Sequence, residues 1–160
     1  MKRIGILILT SLFCSSRLIS QDSNTTRLNG PPVRIQATVD RNVFVGNEPV
    51  TLTYKILSLQ GVQVEEDSFN QDFSPFVRES LVMGKRLAVR GTRNVEAQNV
   101  SITLRLKDGD TLGIYTVPSF KLRYSYDEVI ANESGTLERK RRFGVSSSSS
   151  VRLEKVPIYV

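Results

Sequence analysis

The residues that could do chemistry are few. The chain has no histidine, and its only cysteine is Cys14. Hydrolytic triads need a base, usually histidine, beside a nucleophile. No S-x-x-K spacing occurs after residue 20, so no serine–lysine dyad is specified. Zinc sites draw on histidine and cysteine. Calcium needs clustered oxygen ligands, and only Asp108 with Asp110, or Glu65-Glu66-Asp67, gather carboxylates. The first pair sits in Lys107-Asp108-Gly109-Asp110, which has the composition of a hairpin turn. Spacing nominates no carboxylate pair for glycosidic chemistry, and the tryptophans that often line sugar sites are absent. The expectation is no catalytic residue, no metal and no cofactor, hence not an enzyme.

Charge points the same way. The formal net charge is +6, but three of the 22 cations, Lys2, Arg3 and Arg17, lie in the first twenty residues. Four more form one run, Arg139-Lys140-Arg141-Arg142. Outside these two stretches 15 cations face 16 acids. A nucleic-acid binder needs a cationic face with aromatic residues or donors interleaved on it. None is specified, and no nucleic-acid partner is expected.

The first twenty residues read as a secretory signal. Met1-Lys2-Arg3 opens with positive charge, Ile4 to Cys14 is an apolar run of eleven, and polar small residues lead to Ser20. A bilayer span takes about 20 apolar residues, and no later stretch supplies one. Cleavage after Ser20 is preferred; a cut after Ser16 is the alternative. A lipid anchor on Cys14 is a third arrangement, although Phe13 stands where a lipobox wants a small residue. The chain is therefore expected to be exported, periplasmic or envelope-associated, with no transmembrane helix once the signal is removed. Residues 21–31 are polar and turn-rich, the composition of a disordered linker.

The body, residues 32–160, must position whatever remains. Val33, Ile35, Ala37 and Val39 alternate with polar residues, the two-residue period of a half-buried strand. Val50, Leu52, Tyr54 and Ile56 share a face, as do Val100, Ile102, Leu104 and Leu106. Shorter pieces fall at 43–45 and 62–64, longer ones at 81–89 and 95–106, and 111–118 leads into 120–124. Residues 151–160 close the domain. Turn residues recur roughly every 8–12 residues, which predicts an all-β, two-sheet antiparallel sandwich of about eight strands. Residues 127–150 turn from acidic to basic to poly-serine and are expected as a mobile hairpin excursion outside the core.

Two phrases carry a family resemblance. Val39-Asp40-Arg41-Asn42-Val43-Phe44-Val45-Gly46-Asn47-Glu48-Pro49-Val50-Thr51-Leu52 resembles the opening of the N-terminal domains of BatD-type aerotolerance proteins of the bacterial envelope. Leu112-Gly113-Ile114-Tyr115-Thr116-Val117-Pro118-Ser119-Phe120-Lys121-Leu122 is similar to their later G-x-Y-x-I-P-x-F motif. Phe73-Ser74-Pro75-Phe76 fits between them. The likeness covers roughly residues 33–126. It implies an immunoglobulin-like sandwich and a non-catalytic protein-interaction module linked to stress tolerance. It also implies von Willebrand A-type proteins as partners. Members are usually longer, with several such domains and a C-terminal membrane helix, so the resemblance leaves two expectations, a stand-alone relative or a truncated member.

Two stretches are candidates for partner binding. Phe69, Phe73, Pro75 and Phe76 concentrate apolar surface in a non-strand segment: exposed, they would bind; buried, they would plug one end of the sandwich. Arg139, Lys140, Arg141 and Arg142 beside the serine tract form either a solvated loop or a contact for anionic headgroups or an acidic partner. A surface adhesin for host or glycan ligands is the competing functional class.

Overall fold

The computed structural model describes residues 31–107 and 111–159. The signal segment with Cys14 and Ser20, and nearly all of the linker, lie outside them.

The alternating stretches form strands as expected, and the apolar side of each faces one interior. Strands β1 (Val33–Val39), β3 (Val50–Leu59), β7 (Val95–Leu106) and β5 (Phe76–Met83) make one antiparallel sheet in the order β1-β3-β7-β5. The short β6 (Leu87–Ala88) extends it by pairing with β7. In β3 the inward residues Val50, Leu52, Tyr54, Ile56 and Ser58 are all buried, and in β7 so are Val100, Ile102, Leu104 and Leu106. Full burial of the valine, leucine and isoleucine side chains among them supplies roughly 1.5–3 kcal/mol each.

The opposing layer is built from two three-stranded sheets. One is β10 (Leu137–Ser147), β9 (Lys121–Ala131) and β4 (Gln63–Val64). The other is β2 (Val43–Val45), β11 (Val151–Val156) and β8 (Gly113–Val117), with β2 parallel to β11. These are continuations of each other. Val117 faces Val151, and four residues further along each strand Lys121 faces Ser147. Strands β8–β9 and β10–β11 thus form one long hairpin whose register is unbroken across the gap.

The gap has a local cause. Pro118 has no N–H to give to a ladder. Beyond it the Phe120 N–H donates to Ser148 Oγ at 2.9 Å, and the Ser148 N–H donates to the Phe120 carbonyl at 2.9 Å. The layers meet on an aromatic core in which Tyr54 and Phe69 each pack on Phe120, at 4.8 and 5.5 Å centroid to centroid. The fold is all-β and sandwich-like, as expected.

The described residues contain eleven strand segments where the sequence predicts about eight. The excess comes from the breaks at 84–86 and 118–120, and from β10, which was not expected as a strand. Residues 127–147 lie almost wholly in the β9–β10 ladder, paired residue for residue from Leu137–Ala131 to Ser147–Lys121. The segment is a hairpin, as expected, and its second arm is a regular strand. The reason lies in side-chain size. The inward positions of β10 and the residue after it are Gly144, Ser146 and Ser148, opposite Tyr124, Leu122 and Phe120. Large residues on β9 fill the space, so the partner strand carries small ones and shows no apolar alternation.

Candidate interaction surface

The two sequence candidates have opposite fates. Phe69, Phe73 and Phe76 are 2, 2 and 4% exposed. Phe69 sits in a short 3₁₀ helix, Glu66–Asn70, and stacks on Phe120 at 5.5 Å; Phe76 opens β5 and meets Tyr115 edge-on at 6.0 Å. Gln71 ties the segment to the opposite layer, donating to the Ser119 carbonyl at 2.9 Å and accepting the Lys121 N–H at 2.9 Å. Of the four candidate residues Phe69, Phe73, Pro75 and Phe76, only Pro75 is exposed, in the turn before Phe76. The three rings are packing residues and present no surface to a partner, because an aromatic trio of this size is worth more buried than exposed.

The basic run is exposed, and it lies on a strand. Register places Arg139 opposite Val129, Lys140 opposite Glu128, Arg141 opposite Asp127 and Arg142 opposite Tyr126. Successive residues of a strand point to opposite faces. Arg139 and Arg141 therefore share the outward face with Leu137, Phe143 and Val145 of β10 and with Val129 of β9. Phe143 is 75% exposed and Leu137 71%. Val129 and Val145 are also exposed. An outward face that interleaves four large apolar side chains with cations is unlike an ordinary solvated strand, where such residues occur singly.

Arg141 holds the centre of this face. It reaches Asp127 at 3.3 Å, Ser125 Oγ at 2.8 Å and Gln63 Oε1 at 2.5 Å, bridging β10, β9 and β4. Arg142 pairs with Glu128 at 2.7 Å on the other face. Exposed pairs of this kind contribute about 0.2–1 kcal/mol each, so they orient the side chains more than they stabilise the sheet. Among the described residues Arg139 and Lys140 have neither an ion pair nor a side-chain hydrogen bond, so their charges are left for solvent or a ligand.

The cations were legible as a run; Val129, Leu137, Phe143 and Val145 were not singled out. Their signal was the even spacing of Leu137, Phe143 and Val145 around the charge run, six residues and then two, which places them on one side once the segment is a strand.

Two open depressions lie elsewhere on the surface of the described residues. One, of about 710 Å³, runs between Ala37–Val39 of β1 and Ser149–Leu153 beside β11. The other, of about 650 Å³, surrounds the Asp72–Pro75 turn. In that turn Ser74 donates its N–H and hydroxyl to Asp72 at 3.0 and 2.8 Å, and these bonds hold the Asp72 carboxyl below the usual carboxylate range. Burial pushes the Tyr54 phenol up to about 12, and raises that of Tyr124, with Tyr126 adding to it. Among the described residues no cluster of three or more His, Cys, Asp or Glu is placed to hold a metal, and no helix is long and apolar enough to cross a membrane. No family model, curated protein or solved structure matches the chain.

Proposed function

We propose that this chain is an exported, non-catalytic interaction module of the bacterial cell envelope, an immunoglobulin-like sandwich related to the domains of BatD-type proteins, and that it binds through the outward face of β9–β10. The strand order supports the finer fold. An immunoglobulin constant-type sandwich has strands A, B, E and D in one sheet and C, F and G in the other. The order β1-β3-β7-β5 fits the first, and β4 with the two halves of the long hairpin fits the second. That fold also has a tyrosine near the start of strand F whose hydroxyl bonds back to the backbone a few residues upstream. Tyr115 donates to the Thr111 carbonyl at 2.8 Å in that position.

One observation carries the functional reading: Val129, Leu137, Phe143 and Val145 are all exposed on one face together with Arg139 and Arg141. Interface centres are enriched in aromatic side chains and arginine. Following the family resemblance, the partner is an envelope protein of the von Willebrand A type.

A photo-crosslinking residue at Phe143, in cells of the source bacterium, tests this. The expected adduct is with an envelope protein bearing a von Willebrand A domain, and it is missing when the probe replaces Lys55, which is exposed on the other layer. Equal adducts at both positions, or none at Phe143, would overturn the reading.

A further inference from the structure

The hairpin outruns its sheet. Strand β4 pairs with β9 only at Ser125 and Tyr124. Beyond them Tyr126–Ala131 and Leu137–Arg142 continue as a two-stranded ribbon that no other described strand flanks. Its tip is tied by local bonds: the Asn132 side-chain oxygen accepts the N–H groups of Ser134 and Thr136 at 3.1 and 2.8 Å, and the Asn132 N–H donates to the Thr136 carbonyl at 2.9 Å. A ribbon of two strands is marginal in water, and a third strand stabilises it. The edge of β10 therefore presents peptide groups to any extended chain of suitable side chains.

The sequence of that edge selects the chain. Four consecutive cations place positive charge on both faces of the strand, and two of them, Arg139 and Lys140, are uncommitted. A second β10 laid antiparallel on the first would oppose cation to cation, which destabilises strand pairing. An incoming strand carrying carboxylates on both faces meets the opposite situation.

We infer that the β10 edge from Leu137 to Arg142 accepts an extended acidic segment of the partner protein as an added strand, with carboxylates beside Arg139 and Lys140 and an apolar residue against Phe143. This rests on the binding face proposed above and names the mode of recognition there.

The test uses the purified full chain and a fluorescent peptide of four consecutive glutamates flanked on each side by valines, which carries carboxylates on both faces, beside a twin N-methylated at every second peptide nitrogen. N-methylation removes ladder donors and leaves the charge unchanged. We expect anisotropy to show binding that weakens about tenfold or more for the twin, and equally for the Arg139→Glu, Lys140→Glu double variant. Amides of residues 137–142 should gain exchange protection when the unmodified peptide is bound. Equal binding of the twin would mean that charge alone attracts the peptide and would overturn strand addition. So would no binding, self-association by sedimentation that the double variant abolishes, or displacement of the peptide by vesicles of phosphatidylglycerol and phosphatidylcholine in equal parts. Should the peptide fail while the Phe143 adduct persists in the double variant, strand addition falls and the binding face stands.

Discussion

The ring of Tyr124 covers Gly144, its direct neighbour across the hairpin: a Cβ built on Gly144 would lie 2.5 Å from the Tyr124 Cζ and Oη. That pairing explains why an inward position of β10 holds no side chain. Gly144→Ala should displace a buried tyrosine and cost about 1–3 kcal/mol, the usual range for overpacking. Urea unfolding of the variant against the parent measures it, and an unchanged midpoint would show that the ring moves aside freely.

The serine tract contains one residue that differs from its neighbours. Ser148 is buried, and its hydroxyl accepts the Phe120 N–H and donates to the Ser149 carbonyl at 3.0 Å. Ser148→Ala leaves that N–H without its side-chain acceptor and should cost about 1–3 kcal/mol. Alanine at the exposed Ser147, Ser149 or Ser150 should stay within about 0.5 kcal/mol. Four thermal melts compare them, and equal losses at all four would refute the assignment.

Alkaline stability should report on Tyr54. Its phenol is pushed up to about 12 by burial, while an unfolded tyrosine ionises near 10. A group that binds its proton more tightly when folded stabilises fully below the unfolded value. That contribution is lost as pH rises from about 10 to about 12. Tyr54→Phe should flatten this part of the stability–pH curve, measured by denaturant unfolding at successive pH values. A curve that keeps its slope would place the effect on another residue.

The Asp72 turn should titrate in the opposite sense. Hydrogen bonds from Ser74 hold this carboxyl below its ordinary value, so its contribution is present above the unfolded value near 3.9 and disappears as pH falls through the lowered folded one. Ser74→Ala removes the hydroxyl bond and should move the Asp72 midpoint upward, as read by carboxyl carbon NMR. A midpoint that does not move would assign the effect to the backbone N–H alone.

The central strands were legible because their buried sides are apolar at every second position, as Val50 to Ile56 and Val100 to Leu106 show. The β9–β10 hairpin was hidden because its packing divides unequally, with aromatic bulk on one strand and glycine and serine on the other. Hydrophobic periodicity registers only the first. The proposed binding face was half legible for a related reason. Arg139 to Arg142 draw attention as a block of charge, whereas Leu137, Phe143 and Val145 acquire a common side only when the block is laid out as a strand. The aromatic segment at 69–76 was recognisable as important, but burial depends on contacts such as Phe69 with Phe120, fifty-one residues away in the chain, which no local pattern encodes.

The shared register of β8–β9 and β10–β11 sets every residue of the long hairpin in a single phase. Removing one residue from the Asn132–Thr136 turn, if the strands then slid to close it, would invert inside and outside along the whole of one arm relative to the other. If β9 held its place, Phe143 and Arg139 would be carried inward against Tyr124, Leu122 and Phe120, where Gly144 and Ser146 now leave room. Insertions in this turn are therefore compatible with the fold only where they leave that phase intact, and the length of one small loop governs both the interior of the protein and the face it turns outward.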